Sequence, residues 1–160
     1  MKHILRSLSI LPLLLALFGC SHLLVAGQSD AKDRESRNPQ GVWRTTVTPR
    51  ICATGSPIGP IFPGILLFAD EGTMTGTSTA AASVYGTWER ASGHRQYSFA
   101  TISLRFDPAG NLIGFRRISQ NFTMDDSGNA FSSSGGFQDS DINGNPVATG
   151  CSTAVGTRFE

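Results

Sequence analysis

The side chains able to do chemistry in this chain are few, and their spacing suits binding better than catalysis. His94 is the only histidine downstream of residue 27, and it falls in the turn Ser92-Gly93-His94. A catalytic triad needs a base beside its nucleophile, and no Gly-x-Ser-x-Gly elbow in a strand-to-helix setting is present. Paired carboxylates can do acid–base work without histidine. Yet Asp70, Glu71, Asp107, Asp125, Asp126, Asp139 and Asp141 all lie in or beside turns, and Glu89 follows Trp88 in a strand, where alternation turns it outward. Asp139-Ser-Asp141-Ile-Asn143-Gly144 matches the first six positions of a calcium loop, but Gly150 stands where the bidentate Glu belongs. A structural turn is the better reading there. Two isolated cysteines lack the partners of a metal site, and phosphate-binding glycine motifs are missing, so no metal or cofactor is expected. What remains is a recognition surface. Trp43, Trp88 and Tyr97 are large residues on predicted inner faces, beside small ones at Thr45, Gly76, Thr153 and Thr157. Arg116 and Gln120 share parity with Ile118 and Phe122, which would point one or both inward unless the strand switches phase. Small residues leave volume, and hydroxyls, aromatics and a cation can hold one small molecule. Binding is expected ahead of an enzymatic role.

The elements that would position these residues are strands. Three copies of one turn signal, Asp107-Pro-Ala-Gly110-Asn111, Asp125-Asp-Ser-Gly128-Asn129 and Asp141-Ile-Asn-Gly144-Asn145, punctuate the C-terminal half. Asp first and Gly fourth is the chemistry of a type I turn followed by a left-handed residue, as in a bulged hairpin. Strands are predicted at 42–48, 65–69, 73–79, 85–91, 96–106, 112–124, 130–138 and 147–159, with a Pro/Gly-rich connection over 53–63. The expected fold is all-β: an eight-stranded antiparallel meander closed into a small barrel, which removes the exposed edges. Aligning Trp43, Thr45 and Val47 with Thr153, Val155, Thr157 and Phe159 pairs Trp43 with Phe159. That register leaves Cys52 and Cys151 one residue out of step and calls for a bulge near Pro49. Strands five and six change apolar parity midway, which predicts bulges there too and leaves open whether Arg116 faces inward.

The chain has 160 residues, which suits one domain after its leader is removed. Residues 1–27 read as an export signal: Lys2, His3 and Arg6, then the apolar run Ser9–Phe18, too short to span a bilayer. Two processing schemes compete, lipidation at Cys20 after Leu17-Phe18-Gly19, or ordinary cleavage after Val25-Ala26-Gly27. Under either, Cys52 and Cys151 remain and are expected to form one disulfide. The chain is thus expected outside the cytoplasm, periplasmic or secreted, or held to a membrane only through a lipid anchor. Residues 28–40 read as a flexible linker and 41–160 as the barrel domain. Beyond residue 27 there are 11 basic and 12 acidic residues, with no basic block, so nucleic acid is a poor partner. Oligomeric state is left open.

Gly41-Val42-Trp43 opens the first strand and Arg158 lies near the end of the last. With Gly86-Thr87-Trp88 and Gly76 in the third strand, this pattern resembles the calycin barrels, the lipocalins and avidin-like proteins. The resemblance implies that Arg158 packs across Trp43 at a closed end, that 53–63 acts as a lid, and that the interior takes a small ligand. It adds Arg158 to the candidate binding residues. The C-terminal helix typical of lipocalins is not expected here, because the sequence reads as strand up to Phe159. The chain also resembles uncharacterised exported bacterial proteins and the barrels of the allene-oxide-cyclase and dirigent type, which implies an alternative role in steering a substrate's conformation. A structural or protein-interaction module is the further alternative.

Overall fold

Alternation along the chain is realised as eight antiparallel strands, and a computed structural model describes residues 38–159. The strands are β1 (Gly41–Arg50), β2 (Phe62–Phe68), β3 (Thr73–Ser78), β4 (Ala81–Arg90), β5 (Gln96–Phe106), β6 (Leu112–Met124), β7 (Ala130–Ser140) and β8 (Pro146–Arg158). Each pairs with the next, and β8 returns to β1, so the sheet is a closed barrel. The Cys52–Cys151 disulfide is formed, with a Cα–Cα distance of 5.2 Å. The export signal, Cys20 and most of the expected linker lie outside the described residues. Asn38, Pro39 and Gln40 bond to Trp43 and Arg158, so these three residues belong to the barrel rather than to the linker.

The three repeated turns join β5 to β6, β6 to β7 and β7 to β8. In the first, Asp107 Oδ1 accepts the amides of Ala109 and Asn111 at 2.9 and 2.8 Å, while Asn111 Nδ2 donates to Oδ2 at 2.9 Å. The third repeats this with Asp141, Asn143 and Asn145. The second differs: Ser127 Oγ donates to Asp125 Oδ2 at 2.7 Å, and the hairpin closes one residue later, at Ala130. Gly110, Gly128 and Gly144 take φ of 86°, 74° and 88°, the left-handed conformation that a side chain disfavours.

Three prolines lie within strands: Pro146 opens β8, and Pro49 and Pro63 sit one residue in from a strand end, Pro63 contrary to the reading of 53–63 as connection throughout. Pro63 belongs to β2 opposite Thr46, and Pro49 to β1 opposite Ser152. The Pro63 carbonyl accepts from Thr79, just past the end of β3, and the Pro49 carbonyl accepts from Ile58 in the connecting loop. A residue's N–H and C=O point to the same side in a strand, so each missing donor falls where a ladder has ended.

The β1–β8 register corrects the expected one. Trp43 pairs with Arg158, not Phe159, and the ladder runs unbroken through Pro49↔Ser152 to Arg50↔Cys151. The inner face of β8 is therefore Ser152, Ala154, Gly156 and Arg158, while Thr153, Val155, Thr157 and Phe159 face out. No bulge is needed, because both cysteines then lie on the outer face. Inner positions on β8 are small for a reason. A Cβ at Gly156 would overlap the ring of Phe131, and one at Gly150 the ring of Phe137, their partners across the ladder.

The expected phase changes are absent too. β5 keeps Tyr97, Phe99, Thr101 and Ser103 buried throughout, and β6 keeps Gln120, Phe122 and Met124 buried. Ile102, Leu104 and Phe106 face outward, at 43%, 51% and 52% exposure. A bulge occurs only at the strand ends, where Arg105 pairs with Gly114 and Phe106 with Leu112. The apolar residues of changed parity coat the outside of the wall instead of bending it.

Candidate functional site

The interior divides along its axis. At the end carrying the β6–β7 hairpin, Trp43, Phe68, Met74, Tyr97, Phe99, Phe122, Met124 and Phe131 form one buried cluster, with Trp88 packed against it. The rings are in direct contact: Tyr97 stacks on Phe122 at 5.1 Å, and Trp43 meets Phe131 edge-on at 5.1 Å. Every polar handle here has a partner. Trp43 Nε1 donates to the Pro39 carbonyl at 2.7 Å, Trp88 Nε1 to Ala69 at 2.9 Å, and Arg90 Nη2 to Tyr97 Oη at 3.0 Å.

Arg158 closes this end. Its guanidinium lies 4.5 Å from the centre of the Trp43 ring and donates to the carbonyls of Asn38, Gln40 and Gly128. Burial lowers its pKa from the usual arginine range, and the three carbonyls supply the acceptors that water would have given. Four of the five sequence-based ligand candidates, Trp43, Trp88, Tyr97 and Arg158, therefore build a plug.

Above the plug lies a buried polar layer. Gln120 Nε2 donates to Ser152 Oγ at 2.8 Å, and Ser133 Oγ donates to Gln120 Oε1 at 2.5 Å. No buried side-chain polar atom among the described residues lacks a partner. This layer borders a chamber of about 80 Å³, lined also by Thr45, Ser78, Val84 and Thr101. Ligand pockets commonly hold roughly 300–1,000 Å³, so the chamber suits a few waters rather than a metabolite.

The fifth candidate, Arg116, stands at the opposite end, the mouth. It faces inward, and its Nε and Nη2 grip Asp139 at 2.7 and 2.8 Å. Its guanidinium also lies 4.4 Å from the centre of the Phe137 ring. Arg105 approaches the same carboxylate from β5, with Nε at 3.2 Å. Asp139 is 4% exposed at its side chain, against 26% for Arg105 and 29% for Arg116. Two cations thus share one buried anion and keep part of their surface open to solvent. They line a pocket of about 310 Å³ at the rim, with Ser103 and the β3–β4 turn opposite.

Sequence reasoning missed Arg105 and Asp139. Asp139 was read with its turn, yet it is the last inward residue of β7, two residues beyond Phe137. The calcium-loop match dissolves for the same reason: Asp139 points to Arg116 while Asp141 binds its own turn. His94 is exposed, and Glu89 is exposed and accepts from Ser98 Oγ at 3.1 Å. The 51–61 loop bonds back to β1, through Ile58 N to Pro49 O and Arg50 Nη1 to Gly55 O.

Fold and site define a class: a closed eight-stranded β-barrel with an aromatic plug at one end and an ion triad at the other. Within that class no closer relative stands out, since no family model, curated protein or solved structure matches this chain.

Proposed function

We propose that this is an exported cell-envelope barrel that binds a small acidic molecule at its mouth. The observation that carries the reading is the Arg105–Asp139–Arg116 triad: a net positive charge, half desolvated, facing a pocket of ligand size. Guanidinium pairs recognise planar carboxylates in bidentate fashion, and a partly water-excluded setting strengthens the attraction. Export is supported by the apolar run Ser9–Phe18 and by a disulfide, which persists in oxidising compartments. Arg158 stacked on Trp43 supports a calycin-like relationship. A dirigent-like role would want a deep cavity, and an 80 Å³ chamber gives it no support.

The test is thermal unfolding of the full chain, recovered from the cell envelope, with millimolar acetate, benzoate, citrate and inorganic phosphate. Carboxylates raise the midpoint of the natural protein by a few degrees, and Arg105→Gln with Arg116→Gln removes the rise. Absence of any shift with all four anions overturns the proposal. Mass spectrometry of the same sample reads the processing site and any lipid at Cys20.

A further inference from the structure

The barrel wall is split beside this mouth. The β4–β5 ladder runs from Arg90↔Tyr97 to Tyr85↔Ile102 and stops. Beyond that pair, Val84 and Ala81 pair with β3 alone, Ala82 and Ser83 fall at a register shift with no pair in either ladder, and Ser103–Phe106 pair with β6 alone. Four residues on each side thus face one another across a seam, about 13 Å long at ordinary strand rise, with no register pair between them. Strand edges carry rows of unpaired N–H and C=O groups, and natural proteins usually cover them.

The seam's surroundings are specific. Outside, Tyr85, Ile102, Leu104, Phe106 and Phe115 line a groove of about 470 Å³ that is mostly apolar. Tyr85 is 62% exposed. At its upper end the groove shares Ala82, Ser103, Leu104 and Phe106 with the Arg105–Arg116 pocket. Three demands therefore meet in one place: backbone groups wanting hydrogen bonds, apolar side chains wanting cover, and a net positive charge wanting an anion.

We infer that this seam receives an extended peptide segment of a partner protein, with alternate apolar side chains and a carboxylate that reaches Arg105 and Arg116. A peptide strand satisfies all three demands at once. Its backbone pairs with a free edge, every second side chain covers the groove, and its acid group compensates the surplus cation. An alkyl chain would cover the apolar surface and leave the edges unpaired. The acid contact rests on the mouth reading above; the strand pairing does not.

Calorimetry on the full chain with a blocked probe peptide, acetyl-Thr-Val-Thr-Leu-Thr-Glu with a free C-terminus, tests this. Binding is expected in the micromolar range. Methylating alternate backbone nitrogens weakens it at least tenfold. Amidating the C-terminus, with Gln replacing the probe's Glu, weakens it about fivefold in the natural protein and not at all in Arg105→Gln with Arg116→Gln. Hydrogen exchange gives a second readout: amides of 82–84 and 103–106 exchange faster than those of 86–90 in the free protein and slow down when the peptide binds. Equal binding of the methylated peptide, or octanoate binding as tightly as the probe, overturns the inference. Acetate binding at the mouth without peptide binding overturns it while leaving the proposed function standing. Peptide binding indifferent to the acid group overturns the assigned contact with the arginines.

Discussion

The two ends of this barrel are built on opposite principles. At the plugged end, aromatic rings fill the bore, and each polar atom named there is tied to a neighbour, down to the three carbonyls held by Arg158. At the mouth, the wall itself parts, two guanidiniums share one carboxylate, and large apolar side chains stand in solvent. Stability is concentrated where contacts are dense, and recognition where they are left incomplete. The polar layer of Gln120, Ser133 and Ser152 separates the two, so changes at one end need not reach the other.

The sharpest way to break this contrast is to truncate the plug. Trp43 has no exposed surface. Trp43→Ala is expected to cost about 3–5 kcal/mol in urea unfolding, from lost burial, a cavity and an orphaned Pro39 carbonyl. Arg105→Gln, at the other end, should cost about 1 kcal/mol or less, because its head reaches solvent. Equal costs would mean that the ends are not divided as argued. Next in size is the Cys52–Cys151 bridge, which spans a sequence separation of 99. Replacing both cysteines by Ser should lower stability by about 2–4 kcal/mol, through the freedom returned to the unfolded chain. It should also leave near-ultraviolet circular dichroism of the aromatic plug unchanged below the transition.

Much of the barrel was legible in the sequence, and the reasons for the failures are physical. Asp–x–x–Gly turns are local, so three hairpins could be read directly, while closure rested on the separate argument that it removes two exposed edges. The face of β8 could not. Its outward set, Thr153, Val155, Thr157 and Phe159, is the more apolar one, while its inward set is small because Phe131 and Phe137 of β7 occupy that space. Volume borrowed from a neighbouring strand leaves no mark on the strand that yields it. Likewise Ile102, Leu104 and Phe106 read as core by composition, yet they coat the outer groove. Trp43, Trp88 and Tyr97 lie on the inner faces expected of them but serve the plug, and Arg158 joins them on a face that the expected register had turned outward. Of the mouth, only Arg116 was visible beforehand. A seam is a property of one ladder ending while those on either side of it run on, which one strand's pattern cannot express.

A smaller effect sharpens the contrast in the other direction. Asp139→Asn removes the only anion between Arg105 and Arg116. Breaking a buried ion pair can cost several kcal/mol, but these guanidiniums keep solvent contact, so about 1–2 kcal/mol is expected. Anion affinity at the mouth should rise by roughly three- to tenfold, because two uncompensated cations then face the pocket. Calorimetry with benzoate reads this. Weaker binding in Asp139→Asn would show that Asp139 serves to hold the arginines in place more than it competes for their charge.

The smallest expected effect compares the hairpins at the two ends. Asp107 and Asp141 at the mouth have pKa values lowered first by the Asn111 and Asn145 side chains and then by backbone amides. Asp125 at the plug is lowered first by the Ser127 hydroxyl and then by the Ala130 amide. A carboxylate with a depressed folded pKa stabilises fully above its ordinary value near 4, and that contribution is lost as pH falls through the folded value. Urea unfolding between about pH 5 and pH 2 should therefore show stability falling as acid is added, and falling less in the triple variant Asp107→Asn, Asp125→Asn and Asp141→Asn. The amide oxygen can still accept the backbone donors, but its nitrogen meets the Asn111 and Asn145 amino groups donor to donor. The variant accordingly starts lower at neutral pH, and the two curves converge in acid. Among single variants, Asp125→Asn should be felt furthest, because the carbonyl of Gly128 in that turn is held by Arg158 over Trp43. Loosening this hairpin loosens the plug, whereas loosening the 107–111 or 141–145 hairpin disturbs only an end already open. Equal slopes for the natural and triple-variant proteins would show that these turns are held by backbone conformation alone.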